Sequence, residues 1–345
     1  MSTLVNIKDL SVSYFTYAGE VQSVRGVTFD IERGKTTAIV GESGCGKSVT
    51  SKSLMGLIEK PGVIKQGSQI LYEGKSILDF TDKEWYAFRG RECSMIFQDA
   101  LVSLNPTMMV GKQIMENLKN HNDENLTQQQ IQHKAQEMLE LVGIPDAQAC
   151  MHKYPHELSG GMRQRVMIAT ALITSPKLLI ADEPTTSLDV TIQAQILELM
   201  KQLQQKMGMA IIMITHDLGV VADMADEIVV MYAGKIVEKG SSDDIFYHPH
   251  HPYTWALMNS VPRLDLDNKK ELVTIEGSIP DMIHPPKGCA FCSRCPYAMN
   301  VCAEHEPQIQ QIGGEHGNHE VSCWLMDPRA DRSGVPFEIG GAVHA

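Results

Sequence analysis

No run of uncharged apolar residues in this chain approaches the ~20 needed to cross a bilayer as a helix. The most apolar stretch, Met209–Thr215, stops at once in His216 and Asp217 and reads as a buried strand. The opening segment mixes Lys8 and Asp9 with single apolar residues and lacks the apolar core of a secretory signal. The expectation is a chain that stays in the cytoplasm and meets a membrane only through partners. Positive charge is also short: 30 Lys and Arg stand against 42 Asp and Glu, a formal net charge of −12. That argues against non-specific nucleic-acid binding, which phosphate neutralisation drives. No internal repeat is visible. Cysteine is sparse at first, with Cys45, Cys93 and Cys150 scattered; Cys289, Cys292, Cys295, Cys302 and Cys323 then crowd into the last sixth. With 345 residues and 43% hydrophobic content, the chain is long enough for an α/β domain of about 250 residues plus an appendage.

Two short alternating runs, around Val5 and from Leu10 to Tyr14, open the chain. The run Lys35–Val40 leads into a glycine-rich turn and a helical pattern from Lys47 to about Ile58. A strand at 94–98 follows, then a polar, helix-period region from Val110 to about Val142. Further on, helices are expected over 159–173, 190–206 and 218–225. Strands are expected over 178–181, 210–214, 227–232 and 235–238. This alternation predicts a largely parallel sheet with helices on both faces. Prolines break up the chain beyond Gly240. The expected organisation is a domain over 1–260 with a helical subdomain at about 99–175, a Cys-rich extension over 261–330, and a loose tail over 331–345.

Gly41-Glu42-Ser43-Gly44-Cys45-Gly46-Lys47-Ser48 fits G-x-x-x-x-G-K-[ST] in the required strand–loop–helix setting. The glycines let successive N–H groups curl inward on phosphate oxygens, and the helix adds its N-terminal dipole. Lys47 would reach the β- and γ-phosphates and Ser48 would ligate Mg²⁺. Val49 follows in the same candidate set. Cys45 reads as a small residue contributing its N–H, the alternative being a thiol made reactive by the helix end. Leu178–Ala181 is an apolar run ending in Asp182 and Glu183. Asp182 can hold Mg²⁺ through water, and Glu183 can polarise the attacking water. His216 and Gln98 each end a strand on the ligand side of such a sheet. His216 could donate to the γ-phosphate, and Gln98 could sense Mg²⁺ and the water.

Leu158-Ser159-Gly160-Gly161-Met162, followed by Arg163-Gln164-Arg165, resembles the signature of ABC ATPases. Physically it is a second helix N-terminus, capped by Ser159, with glycines that let a phosphate come close. The chain's own loop already takes one triphosphate, so this segment would bind the nucleotide of another subunit. The resemblance covers residues 1 to about 260. It implies a P-loop cassette with a mainly parallel sheet, an N-terminal antiparallel part and a helical subdomain. It places Tyr14 on adenine, with Phe15 and Tyr17 as rivals. It makes Gln98 the Q-loop, Ser187-Leu188-Asp189 the D-loop and His216 the switch histidine. Ser103-Leu104-Asn105-Pro106 and His251-Pro252-Tyr253-Thr254 look like the oligopeptide/dipeptide permease ATPases. Met162 and the cysteine-bearing tail look like their D-type subunit. His248, His250 and His251 could be called a metal site, but the family match favours packing.

That resemblance implies ATP hydrolysis powering import of oligopeptides or dipeptides from the cytoplasmic face of the membrane. It also implies a heterodimer with a homologous F-type ATPase subunit, two transmembrane permease subunits and an extracytoplasmic peptide-binding protein. Nickel or another small solute is the alternative cargo. A nucleic-acid-acting ABC ATPase is the alternative class, disfavoured by the single uninterrupted cassette and acidic balance. The clustered cysteines suggest a metal staple by themselves. The resemblance implies a [4Fe–4S] cluster on Cys289, Cys295, Cys302 and Cys323, with Cys292 as the extra. Zn²⁺ on the same ligands and unliganded thiols are the rivals.

Overall fold

The computed structural model describes residues 2–98, 100–122, 124–186, 188–260, 275–313 and 318–337. Ser187 of the expected D-loop, the first part of the extension (261–274) and tail residues 338–345 lie outside the described residues. The chain forms two compact units, each from discontinuous stretches. One takes the first residues up to Leu4, then Ile31–Thr36 and Ile77–Ile214; the other takes Val5–Asp30, Thr37–Ser76 and everything from Thr215.

The first unit centres on the parallel strands Cys93–Ile96, Leu178–Asp182 and Ala210–Ile214. Met95 pairs with Ile180, and Ile180 with Ile212. Every residue of the three is buried, as continuous apolar runs must be when both faces are covered. The helix-period region from Val110 resolves into two helices, Val110–Asn120 and Gln128–Leu141. Thr127 makes the break. Its hydroxyl accepts from the Gln130 amide, and the Gln130 side chain accepts from the Thr127 amide, a reciprocal cap that starts a new helix. Each helix buries one stripe at i, i+4, i+8: Val110, Ile114 and Leu118, then Ile131, Ala135 and Leu139. Both pack against the helix Gly160–Leu172.

In the second unit, the two opening runs form a single strand, Thr3–Thr16. Its buried positions step from Val5 and Ile7 to Leu10 and Val12, slipping by one residue. Asp9, at φ 48°, absorbs the extra residue in left-handed backbone. The strand therefore bulges where alternation alone suggested an end. It pairs antiparallel with Gly62–Ile64 and Gln69–Tyr72. A second sheet pairs Thr37–Val40 in parallel with Glu227–Tyr232, to which Lys235–Ser241 adds antiparallel. The extension continues this sheet with His319–Val321 on Lys235–Ser241 and Gln310–Gly313 beyond it.

Fully buried Glu238 ties these parts together. It accepts from the His250 and His251 amides at 2.6 and 3.0 Å and pairs with the buried His319 ring at 2.8 Å. His250 stacks on His319, with ring centroids 5.0 Å apart. The His/Pro cluster thus packs His250 and His251 into the unit's interior. The helix after the glycine-rich turn, Lys47–Leu54, is shorter than its apolar pattern suggested. Gly56, at φ 59°, reverses the chain, and the Leu57 amide returns to the Lys52 carbonyl at 2.9 Å.

Candidate functional site

The phosphate-loop residues lie between the strand Thr36–Val40 and the helix Lys47–Leu54. Gly41, Gly44 and Gly46 all have positive φ, at 147°, 80° and 102°. A Cβ at Gly41 would sit 2.1 Å from the Met231 carbonyl oxygen, and one at Gly46 would sit 2.5 Å from that of Ser23. Only glycine fits both positions. The Lys47 ammonium is buried inside the curl, donating to the Gly41 and Glu42 carbonyls at 2.7 and 3.0 Å. An anion entering the loop therefore meets a cation already oriented. Burial pushes the Cys45 thiol up despite nearby Lys47.

The hydrolytic candidates of the first unit converge at the end of the strand Leu178–Asp182. Asp182 is buried at that end. Glu183 follows in left-handed backbone at φ 49°, and its amide donates to the Ile214 carbonyl at 2.8 Å. This turn aims the carboxylate at Gln98, whose Nε2 donates to Oε2 at 2.7 Å; the Thr186 hydroxyl donates to the same oxygen at 3.0 Å. A non-glycine residue in that conformation stores about 1–3 kcal/mol of strain, which clusters at functional sites. Buried Gln164 of the signature helix donates to the Pro184 carbonyl, bracing the segment after Glu183. In the second unit, exposed His216 precedes Asp217, the cap of the helix Leu218–Met224.

Ser159 caps the helix Gly160–Leu172, its hydroxyl accepting from the Met162 amide at 3.3 Å. Ser159 and Gly160 are exposed. A cavity of about 540 Å³ opens before them, lined by Ser159, Gly160, Gly161, Arg165, Leu188 and Asp189. Asp189 caps the next helix by accepting from the Ile192 amide at 3.0 Å. A Cβ at Gly161 would meet Ile192 at 2.9 Å, so packing excludes one. At Gly160 the nearest atom is Leu188 Cδ2, 3.9 Å away. Among the described residues, nothing that a Cβ there would meet requires that glycine. Tyr14 is half-buried beside Gly62, whereas Phe15 is 53% exposed and Tyr17 fully so.

The family model described as ABC transporter matches residues 24–186, and that described as Oligopeptide/dipeptide transporter, C-terminal region, matches 237–302. The oligopeptide transport ATP-binding protein OppD of Bacillus subtilis is 54% identical over 98% of this chain and 93% of its own length. The chain belongs to the oligopeptide/dipeptide family of ABC transporter ATP-binding proteins. The dipeptide transport ATP-binding protein DppD of the same organism is 52% identical, over 96% of this chain and 98% of its own length. The dimeric structure of MJ0796, a bacterial ABC transporter cassette, shares the fold at TM-score 0.62 and 24% identity, covering 69% of this chain and 98% of that one.

In this ABC ATP-binding protein the five late cysteines all fall in the second unit. The Cys289 amide donates to the Cys302 carbonyl at 2.8 Å, and a Cβ on Gly288 would lie 2.2 Å from that same oxygen. Burial pushes the Cys289 thiol up to about 12 and the Cys295 thiol up to about 11, with neighbouring cysteines adding to both. Burial also raises Cys323, and the charges of Cys289, Cys295 and Cys302 raise it further. Cys292 is raised by burial and then by Cys302 alone. Cys292 in turn raises Cys289 and Cys295, so all five soft donors belong to one electrostatically linked group, which fits a thiolate-bound metal by donor type. As the side chains stand, no group of three or more His, Cys, Asp or Glu among the described residues is close enough to hold an ion.

Motif reading did not find that Thr186 holds Glu183, or that Tyr253 and Arg294 hold Glu42. Arg294 did carry a signal, lying immediately before Cys295 and Pro296.

Proposed function

We propose that the chain is the ATP-hydrolysing subunit driving import of oligopeptides or dipeptides, seated on the cytoplasmic face of the membrane. The observation that carries hydrolysis is the Glu183 carboxylate, held by Gln98 and Thr186 at the end of an apolar strand. The carboxylate in this reading orients a water for attack on the γ-phosphorus, releasing ADP and phosphate. In this reading the backbone of Gly41, Ser43, Gly44, Cys45, Gly46, Lys47, Ser48 and Val49 wraps the triphosphate. Ser48 and Gln98 ligate Mg²⁺, and Asp182 holds it through water. His216 donates to the γ-phosphate. Tyr14 stacks on adenine, with exposed Phe15 and Tyr17 as competitors for that role.

Ser159, Gly160, Gly161 and Asp189 would receive the nucleotide of a homologous F-type subunit. The support is the open cavity before Gly160, where a Cβ would meet no described residue closer than Leu188 Cδ2 at 3.9 Å. Two transmembrane permease subunits and an extracytoplasmic peptide-binding protein would complete the importer. The cargo class rests on the relatives' names. Uptake of labelled di- and tetrapeptides by cells lacking this chain, with and without its re-expression, tests it. Uptake of nickel but not peptide would reject it.

Cys289, Cys295, Cys302 and Cys323 would hold a [4Fe–4S] cluster, or Zn²⁺ in its place, leaving Cys292 free. Such a group would supply a structural cross-link for the extension. Iron, sulfide and zinc analysis of anaerobically purified protein separates the two. Loss of metal in Cys295→Ser but not Cys292→Ser is the expected pattern.

A further inference from the structure

Arg294 sits in the tight turn Cys292–Arg294, far along the chain from the phosphate loop, yet its guanidinium ends on that loop. Its Nη1 donates to Glu42 Oε2 at 2.7 Å and its Nη2 to Glu42 Oε1 at 3.1 Å. The remaining N–H groups go to the Tyr232 hydroxyl at 3.2 Å, the Glu276 carbonyl at 2.8 Å and the Ile275 carbonyl at 3.0 Å. All five donors are therefore used, in a side chain only 5% exposed. Gly277, at φ 84°, lies against the arginine stem, where a Cβ would come within 3.3 Å of Arg294 Cγ. On the other side, the Glu42 amide donates to the Tyr253 hydroxyl at 2.9 Å. Tyr253 packs with Tyr232 and Phe291, ring centroids 4.7 and 5.4 Å away.

The charge arrangement gives this contact a purpose. Glu42 places a carboxylate within the loop that must receive a triphosphate, five residues from Lys47. Left bare, that anion would repel the ligand and would be free to pull the loop out of its curl. A bidentate arginine removes both faults, because the fork neutralises the charge and fixes its direction.

We propose that Arg294 is a positioning residue for nucleotide binding: it neutralises and anchors Glu42, so that the extension sets the loop's affinity for MgATP. This rests on the reading of Gly41–Ser48 as the nucleotide site. Arg294 itself touches no nucleotide. The coupling acts on binding, so its loss raises KM and leaves turnover at saturation nearly intact.

The test measures MgATP affinity of the full chain, and KM and kcat of the assembled importer. Arg294→Met raises Kd and KM about tenfold, within the usual range of coupling between sites, while kcat changes less than twofold. Adding Glu42→Gln to Arg294→Met recovers at least half of the lost affinity on a logarithmic scale, because the exposed carboxylate is the cause of the loss. The loss in Arg294→Met also shrinks as salt rises, as a screened repulsion must. Arg294→Lys, which keeps the charge but not the fork, falls between wild type and Arg294→Met. Additive losses in the double variant, a salt-independent loss, or a fall confined to kcat would overturn the proposal. Lys47→Ala serves as the control. If it binds MgATP like wild type, the nucleotide site itself is misread. If it loses binding while Arg294→Met does not, only the role of Arg294 is refuted.

Discussion

The two glycine-rich helix starts of this chain are completed differently. The phosphate loop is enclosed by its own chain. Met231 and Ser23 carbonyls press on Gly41 and Gly46, Lys47 is buried in the curl, and Arg294 and Tyr253 grip Glu42. The signature segment is open. Ser159 and Gly160 are exposed, and a cavity of about 540 Å³ faces them. An anion site that is finished inside a chain can bind alone. The proposed reading of the second, open segment calls for a ligand carried by another subunit.

Breaking the chemistry gives the largest expected effect. Glu183→Gln keeps MgATP binding but lowers turnover of the assembled importer by about 10²–10⁴, the usual worth of a general base. Single-turnover phosphate release checks it; a residual rate within tenfold of wild type would contradict the role of Glu183.

A paired substitution sharpens the comparison directly. Gly41→Ala forces a Cβ to 2.1 Å from the Met231 oxygen. It should cost more than tenfold in MgATP affinity of the isolated chain, as positive-φ glycines that also touch backbone tolerate no side chain. Gly160→Ala meets nothing nearer than 3.9 Å. The isolated chain should keep its melting temperature and its MgATP affinity, and the loss should appear only as lower ATPase activity after assembly. Isothermal titration of both variants, beside ATPase assays of the complex, distinguishes the two sites.

The smallest effect is an acid sensitivity confined to the phosphate-loop side. Burial holds the His251 ring down to about 4, with Glu238 partly opposing. Its Nδ1 accepts from the Tyr253 amide at 3.0 Å, which needs the neutral ring. The unfolded chain takes up this proton near pH 6.5, whereas the folded chain resists to about 4. Stability from this group is therefore complete above about pH 6.5 and declines as pH falls toward 4. The total loss is roughly 3 kcal/mol at 1.36 kcal/mol per pH unit. Urea unfolding across that range should show the decline, and His251→Asn should flatten it. Exchange of amides in the signature helix should not follow the same pH profile.

Much of the candidate site was legible because it depends on local backbone chemistry. Glycine spacing announced the positive-φ loop, Ser159 announced its cap, and an apolar run ending in Asp182 and Glu183 announced a buried strand with an acidic edge. Several boundaries were not legible. Alternation broke at Asp9, which looks the same whether a strand ends or bulges; the Asp9 amide bond to Thr28, 19 positions away, goes with the bulge. The region from Val110 to Val142 is polar and helix-period on both sides of its break, which is marked by the cap at Thr127 and by the bonds between Asn122 and Leu126.

By itself, the sequence determined the family, the phosphate loop, the acidic strand end and the signature cap, since each needs only a few neighbouring residues with particular φ, capping or charge. Tertiary structure alone decided which oxygen of Glu183 meets Gln98, 85 positions earlier, and that Arg294 closes on Glu42 across 252 positions. Such pairings follow from how strands and turns stack. A buried arginine with five donors must find five acceptors wherever the fold places them.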